Sequence, residues 1–407
     1  MQTSLPQALL ATPSGMQADK ILRNCVHCGF CNATCPTYQL TGDELDGPRG
    51  RIYLIKQVLE GSSPTSKTQL HLDRCLTCRA CETTCPSGVD YHVLLDTGRE
   101  LVEKSVPRPL PTRLIRRALR LILPWPGRFT PLLRTGQLLR PLLPATLKQK
   151  IPARSKDTGA RPTRQHTRSV LLLTGCVQDA LSPQINAATI RVLDALRIQT
   201  ITRADSGCCG AVSHHLGATD EARGFMRRNI DAWWPDIDQG VEAIVVTASG
   251  CAPMVKDYGQ LLATDSDYAD KARRVSTLAK DISEVIADEP VTTVIKQVPD
   301  EQKVAFHSPC TLQHAQRING YVEQILEQAG YTLTTVADSH LCCGSAGTYS
   351  ILQPELSNQL RDNKLATLQA GQPDMITTAN IGCLTHMANH AGVPVRHWIE
   401  CLDVLLP

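Results

Sequence analysis

Short runs of apolar and β-branched residues recur through the second half of the chain, separated by longer stretches with helical spacing. The strand-like runs lie at 169–174, 243–248, 303–307 and 375–379, with weaker ones near 198–202 and 331–336. The helical patterns lie at about 184–196, 220–235, 271–287, 321–329 and 354–370. Strands that alternate with helices are typical of parallel βαβ units. The pattern therefore predicts an α/β architecture for residues 169–407.

The first half of the chain has a different organisation. Between two clusters of cysteines, the stretch from Tyr53 to Leu72 is mostly helical in pattern and ends in a polar turn. The predicted boundaries are 1–23 for a helical lead-in, 24–105 for the cysteine clusters, 106–168 for a basic linker, and 169–295 and 296–407 for two repeats offset by about 134 residues. We expect a multidomain α+β chain, in which a helical domain precedes a duplicated α/β, Rossmann-like domain.

Charge is unevenly distributed along this chain, whose formal net charge is only +3. Fifteen Lys or Arg residues and one acid, Asp157, lie between Val106 and Arg168, so this segment carries +14 and the remainder −11. Such a block marks a basic arm, a linker or a patch for an anionic surface.

Within the basic segment, residues 113–122 have an amphipathic helical pattern. One face carries Arg113, Arg116, Arg117 and Arg120, and the other carries Leu114, Ile115, Ala118, Leu121 and Ile122. Such a helix fits an anionic membrane interface, and it equally fits a partner subunit. Because no aromatic residues interleave with the arginines, we expect no nucleic acid as a partner.

The chain contains seventeen cysteines, an odd number, and no secretory signal or long apolar span. These features argue against a disulfide framework and a spanning helix, and they favour a reducing, cytosolic environment in which thiolates bind metals. No glycine-rich phosphate loop follows any predicted strand, so we expect no flavin or nicotinamide site in this chain.

Eight of the cysteines form two runs of the pattern C-x2-C-x2-C-x3-C-P, which is typical of ferredoxins with two 4Fe–4S clusters. The fifty residues between the runs predict a helical variant of the ferredoxin fold for residues 24–105. In such proteins the fourth cysteine of each run binds the cluster of the other run. The predicted ligands are Cys25, Cys28, Cys31 and Cys85 for cluster 1, and Cys75, Cys78, Cys81 and Cys35 for cluster 2. Structural zinc is the alternative, but the third and fourth cysteines of each run exceed what a zinc site needs.

Eight further cysteines form a repeated pattern in the second half of the chain. The first copy has Cys176, Cys208, Cys209 and Cys251, and the second has Cys310, Cys342, Cys343 and Cys383. They follow predicted strands or lie in glycine turns, where the carboxyl ends of parallel strands form ligand sites. Each copy is a candidate for one further iron–sulfur centre, for zinc or another metal, or for reduced structural or redox-active thiols. Cys401 is left over and is expected to be buried.

Several other polar residues lie near these cysteines in the sequence. Arg49 and Arg51 could steady anionic clusters or an acidic partner, although a solvated turn is an equal alternative. Four histidines could bind or tune a metal, or could simply be hydrogen-bonded: His307, His314, His340 and His386.

The repeated pattern resembles that of CCG-domain proteins of the heterodisulfide reductase type, whose C…CCG…C-x-x-C motif binds a non-cubane 4Fe–4S cluster or another metal. This chain lacks the second cysteine of C-x-x-C, with Met254 and His386 in its place. Each copy therefore keeps four of the family's five cysteines.

Taken as a whole, the chain resembles the iron–sulfur subunits of bacterial glycolate oxidases. The segments that carry this resemblance are Cys25–Pro36, Gly42–Lys56, Cys75–Val89, Leu341–Tyr349 and Arg396–Glu400. The resemblance implies electron transfer from flavin-binding partner subunits to a quinone-type acceptor, at the cytoplasmic face of the inner membrane. It implies no oxidation of glycolate by this chain alone. The alternatives are a disulfide-reductase-type catalytic subunit, a subunit of a related 2-hydroxy acid or glycerol-3-phosphate dehydrogenase, and a zinc-stabilised scaffold.

Overall fold

The computed structural model describes residues 1–142, 144, 148, 151–154 and 158–407. A helical domain is followed by a helical pair and two α/β repeats, each with a parallel sheet of four strands. Asp157 and part of the predicted linker lie outside the described residues. Within the described part, no helix combines the length and the apolar character needed to cross a bilayer.

The N-terminal domain is a packed set of short helices. They are α1 Gln7–Leu10, α2 Pro13–Asn24, α3 Phe30–Ala33, α4 Pro36–Thr41, α5 Pro48–Leu59, α6 Ser66–Asp73, α7 Ala80–Thr84 and α8 Tyr91–Ser105, with a 3₁₀ turn at Glu44–Asp46. Proline at the first position starts α2, α4 and α5, where its missing N–H costs nothing. Leu5, Ile21 and Leu22 join Ile55 and Leu94 in one apolar core, so residues 1–23 pack within this domain.

The stretch between the cysteine runs contains two helices rather than one. Helix α5 ends at Leu59, and α6 begins after Thr65, whose side chain accepts from the N–H of Thr68 in a reciprocal cap. The polar turn predicted at the end of this stretch lies between the two helices. A second helix can begin here because Thr65 accepts a hydrogen bond from one of its free N–H groups.

Two helices, α9 Leu110–Ile122 and α10 Pro126–Leu139, connect the domains, and a 3₁₀ turn at Arg140–Leu142 follows. On α9 the arginines are split between protein and solvent. Arg116 donates to the carbonyl of Leu216, and Arg120 lies 3.7 Å from Glu221, whereas Arg113 and Arg117 are exposed. The exposed apolar side chains of the pair and of the turn that follows it are Leu110, Leu114, Ile115, Leu121, Leu132, Leu138, Leu139 and Leu142.

The first repeat has strands β1 Arg168–Leu173, β2 Ile198–Ile201, β3 Ile244–Val246 and β4 Ala279–Asp281 in the order β2-β1-β3-β4. Its helices are α11 Gln178–Leu181, α12 Pro183–Ala195, α13 Ala211–His215, α14 Thr219–Asp238, α15 Ala252–Lys256, α16 Tyr258–Leu261, α17 Ala269–Leu278 and α18 Ile282–Ala287. A 3₁₀ turn at Val291–Thr293 leads out of the repeat.

The second repeat has strands β5 Lys303–His307, β6 Thr332–Leu333, β7 Met375–Thr378 and β8 Val395–His397 in the equivalent order β6-β5-β7-β8. Its helices are α19 Tyr321–Gln328, α20 Tyr349–Leu352, α21 Pro354–Gln369, α22 Ile381–Ala388 and α23 Trp398–Asp403, with a π-helical turn at Thr311–Ala315. The α/β fold with parallel sheets is therefore confirmed for both repeats.

The prediction of a single helix over 271–287 is wrong. The structure places α17, the edge strand β4 and α18 there. Asp281 ends the strand, and its side chain accepts from the N–H of Ser283 in the cap of α18. A three-residue edge strand is too short to show alternation, and the helical spacing on both sides conceals it.

The two repeats share one large apolar core and meet where β3 and β7 end. The N–H of Ser249 donates to the carbonyl of Ala379, and the N–H of Gly250 donates to Asn380 Oδ1. His397 Nε2 lies 3.0 Å from the carbonyl oxygen of Thr247. The cysteine-bearing strand ends of the two repeats are therefore held side by side.

Candidate metal centres

The two cysteine runs adopt the same backbone conformation. His27 and Gly29 in the first run have φ of 58° and 91°, and Thr77 and Arg79 in the second have φ of 55° and 60°. These left-handed residues turn each loop tightly, and backbone N–H groups at such turns favour anions. In the second run the N–H of Thr77 lies 3.4 Å from Cys75 Sγ. Each loop is shaped to surround a negatively charged group.

Two neighbouring recesses collect the eight cysteines in the predicted cross-wise sets. The first is lined by Cys25, Cys28, Cys31 and Cys85, and the second by Cys35, Cys75, Cys78 and Cys81. Cys81, Pro48 and Tyr91 line both recesses, so the two share a wall. The fourth cysteine of each run thus lies with the other run, which fits a two-cluster protein.

The chemistry of these thiols suits bound metal. All of them are free rather than in disulfides. Burial raises the pKa of Cys31 to about 12, and burial also raises the pKa values of Cys78 and Cys81. Such thiols stay protonated unless a cation replaces the proton, as an iron cluster does. The residues therefore fit two iron–sulfur clusters.

A buried charge network lies behind the second recess. Arg51 is 1% exposed and donates to the carbonyl of His71 and to Thr37 Oγ1. Asp46 is fully buried and is held by His71 at 2.8 Å and Arg74 at 2.7 Å. Arg51 therefore brings a buried positive charge to the cysteines, whereas Arg49 pairs with Glu44 near the surface.

In the first repeat, four cysteines contact one another in a row. Cys176 follows β1, Cys208 and Cys209 precede α13, and Cys251 precedes α15. Hydrogen bonding from Cys208 and Cys251 lowers the pKa of Cys209. Gly210, with φ of 93°, turns its N–H to 3.4 Å from Cys208 Sγ.

The second repeat has the same row of cysteines with an added imidazole. Cys310 Sγ and Cys342 Sγ are 3.7 Å apart, and Cys343 contacts Cys342 and Cys383. His307, at the end of β5, has a ligand atom within 4.8 Å of those of Cys343 and Cys383. Burial, followed by the charge of Lys364, lowers the pKa of His307 to about 3, so the imidazole is neutral. Neutral imidazole is the form that binds metals.

The second recess adjoins the second repeat. Leu76 packs in one cluster with Cys310 and Cys342 of the repeat and with Cys78 of the recess. Nearby, Thr83 Oγ1 lies 2.9 Å from His314 Nδ1 across the boundary. The second recess therefore lies between the first recess and the cysteines of the second repeat.

The sequence of the chain matches two family models. The 4Fe-4S dicluster domain matches residues 21–89, and the cysteine-rich domain matches residues 170–256 and 304–388. The glycolate oxidase iron–sulfur subunit of Escherichia coli (strain K12) is 57% identical over 406 residues, covering 100% of this chain and 99% of that protein. The chain belongs to the family of glycolate oxidase iron–sulfur subunits.

Among more distant relatives, one belongs to the same family and another matches only part of the chain. The probable glycolate oxidase iron–sulfur subunit of Bacillus subtilis (strain 168) is 30% identical, covering 90% of this chain and 88% of that protein. Lactate utilization protein A of the same organism is 24% identical, covering 58% of this chain and 98% of that protein. As a member of the glycolate oxidase family, this chain is a non-flavin subunit of an oxidoreductase complex, and iron–sulfur electron transfer is its role.

In this glycolate oxidase family member, the four candidate histidines lie in different surroundings. His314 contacts Thr83 and the carbonyl of His340, and His386 Nε2 lies 3.2 Å from Ser357 Oγ. Of the four, His307 lies with the cysteines.

Sequence reasoning missed Lys364 and Asp46. Lys364 is buried in the second repeat near Cys342 and Cys343, and Asp46 is buried behind the second recess. Lys364 falls on the buried face of a predicted helix, where a lysine is unusual and could have drawn attention.

Proposed function

We propose that this chain carries single electrons within a glycolate oxidase complex, from flavin-binding partner subunits to a quinone-type acceptor at the cytoplasmic face of the inner membrane. The observation that carries the proposal is the pair of adjoining recesses, which together are lined by all eight cysteines, with Cys81 lining both. Clusters held there would lie close enough for direct electron exchange. The family supplies the substrate, since the relatives are named for glycolate oxidase.

The position of the recesses suggests a direction for the electrons. The first recess reaches the surface, where Cys28 is exposed beside the exposed apolar side chains of Val26 and Phe30. The second recess is deeper and adjoins Cys310 of the second repeat. Electrons would enter from a flavoprotein docked at the first recess and pass inward through the second.

The arginines that line the two recesses have partners within the chain: Arg49 pairs with Glu44, Arg51 donates to the carbonyl of His71, and Arg79 pairs with Asp257. The recesses are lined mainly by thiols and apolar side chains. The chain would therefore transfer electrons without oxidising the substrate itself, and the hydride would be taken by a flavin in a partner subunit.

Co-expression with the flavin-binding subunits tests this function. We expect glycolate-dependent dye reduction by the purified complex, and none by this chain alone. Cys78→Ser in the complex should leave flavin reduction by glycolate intact and slow electron transfer to a quinone analogue. Glycolate oxidation by the isolated chain, or full quinone reduction with Cys78→Ser, would refute the proposal.

The helical pair α9–α10 is the proposed contact with an anionic membrane surface. Leu114 and Leu121 are about half exposed on the outer side of α9, next to Arg113 and Arg117. Apolar residues flanked by arginines suit the headgroup region of an anionic bilayer. Leu114→Glu should weaken flotation of the complex with phosphatidylglycerol vesicles, whereas Val404→Glu, at another exposed apolar site, should not. Equal flotation of both variants would exclude this surface.

A further inference from the structure

The two repeats differ at the end of their first strand. In the first repeat β1 ends at Leu173, and in the second β5 ends at His307. Each is followed three residues later by the first cysteine of its row, Cys176 or Cys310. His307 is 1% exposed, and its Nε2 has no hydrogen-bond partner. A buried polar atom without a partner is costly, so this nitrogen calls for a ligand.

The imidazole of His307 lies at the cysteines of the second repeat. One ligand atom each of His307, Cys343 and Cys383 lies within 4.8 Å of the other two. All three residues are buried. The imidazole of His307 is therefore positioned as a metal ligand beside two thiols.

The histidine at the expected motif position has a different role. His386 follows Cys383 by three residues, where the related C-x-x-C motif has its second cysteine. Its Nε2 instead lies 3.2 Å from the hydroxyl and 3.3 Å from the carbonyl oxygen of Ser357. In the first repeat, Met254 occupies the corresponding position. His307, at the end of β5, is therefore the candidate for a fifth donor.

The donor set exceeds the needs of one tetrahedral ion. Cys310 and Cys342 form a second pair of thiols, 3.7 Å apart, next to the group of His307, Cys343 and Cys383. Four sulfurs and one nitrogen are more than the four ligands of structural zinc, and they favour a centre with several irons.

A buried cation distinguishes the second repeat further. Gly210 packs on Ala222 of α14, and Gly344 packs on Ser357 of α21, so these two helix positions correspond. Seven residues later, the first repeat has Asn229 and the second has Lys364. Lys364 is buried near Cys342 and Cys343, where its ammonium group would offset the charge of a thiolate-ligated centre.

We propose that the second repeat holds an iron–sulfur centre of mixed ligation, bound by His307 Nε2 and the thiolates of Cys310, Cys342, Cys343 and Cys383. The proposal deepens the electron-transfer function and rests on it, since electrons would reach this centre from the second recess. Replacing thiolate by imidazole raises the potential of an iron–sulfur centre. The centre would therefore accept electrons from the all-cysteine clusters, whereas the first repeat, with Leu173, has no equivalent nitrogen.

Pulsed EPR on the anaerobically purified full chain, poised at stepwise potentials, tests this assignment. Growth on ¹⁵N-histidine distinguishes a histidine nitrogen from backbone nitrogens. We expect strong coupling of one histidine nitrogen in the wild type, unchanged in His386→Ala and lost in His307→Ala. His307→Cys should restore iron content without nitrogen coupling, which separates the loss of the ligand from misfolding.

The signals of the two all-cysteine clusters serve as the internal reference. If those signals are intact and no histidine coupling is seen, or if the coupling persists in His307→Ala, the assignment is wrong. Zinc bound at the second repeat in place of iron would also overturn it. Loss of the all-cysteine signals in the wild type would instead contradict the electron-carrier function.

Discussion

Removal of the charge of Arg51 should lower the potential of the cluster in the second recess. The guanidinium donates to Thr37 Oγ1 at 3.2 Å, and that hydroxyl lies 3.3 Å from Cys35 Sγ. These two contacts place the charge within about 6.5 Å of a ligand sulfur, and roughly 8 Å from a cluster bound there. Because reduction adds a negative charge to the cluster, a nearby positive charge favours the reduced state.

The size of the effect follows from Coulomb's law. At an effective dielectric constant of about 20, two unit charges about 8 Å apart interact by about 2 kcal/mol. For a one-electron couple, about 1.4 kcal/mol corresponds to about 59 mV, so Arg51→Met should lower the potential by on the order of 90 mV. Arg51→Lys keeps the charge and should shift the potential by less than about 30 mV.

Redox titration followed by EPR measures both potentials in one sample. Arg49→Met is the matched control, since it removes an arginine that pairs with Glu44 beside the first recess. It should leave the potential of the second cluster unchanged. Removing Arg51 also removes one of the charged partners of buried Asp46, which can destabilise the domain. Iron content must therefore be verified in each variant. A shift below about 20 mV in iron-replete Arg51→Met would refute the charge argument.

Two further predictions concern pH and backbone conformation. Burial disfavours a charge on His214, but Asp96, 2.9 Å away across the domain boundary, outweighs it and raises the pKa of His214. The ion pair between His214 and Asp96 therefore stabilises the folded state fully below about pH 6.5. This stabilisation is lost as the pH rises through the raised pKa of His214. In urea unfolding the wild type should lose about 1 kcal/mol over that window, and a His214→Gln variant with the same loss would contradict this. Gly344→Ala should cost more stability than Gly210→Ala, because its Cβ would lie 2.5 Å from the carbonyl oxygen of Ser357 rather than 3.1 Å from that of Ala222. We expect about 3 against 1 kcal/mol in denaturant titrations, and equal costs would refute the steric argument.

Much of the fold is readable in the sequence because local patterns determine it. The predicted strands at 169–174 and 303–307 lie within one residue of β1 and β5, since buried parallel strands are continuous apolar runs. The edge strands β4 and β8 were not predicted, because three residues with a charged residue at the centre show no period. The sequence pattern therefore finds strands that form apolar or β-branched runs, including the edge strand β2, but not edge strands with a charged residue at the centre.

The same distinction holds for the candidate site: features that a sequence motif determines can be predicted, and contacts between distant elements cannot. The cross-wise ligand sets are predicted from a known cluster topology. In the structure, Cys85 lines the first recess and Cys35 lines the second. That His307 Nε2 is buried without a partner, whereas His386 contacts Ser357, could not be predicted, because it depends on how distant elements pack. Similarly, the burial of Arg51 depends on packing between distant helices.

The central claim is that thiolates from two interleaved runs hold two iron–sulfur clusters. It is tested most directly by iron and sulfide analysis of the anaerobically purified chain, together with EPR after reduction. We expect at least about eight irons per chain and the spectrum of two interacting 4Fe–4S clusters. A colourless protein that contains zinc, or an iron-containing protein without a reducible paramagnetic centre, would contradict it.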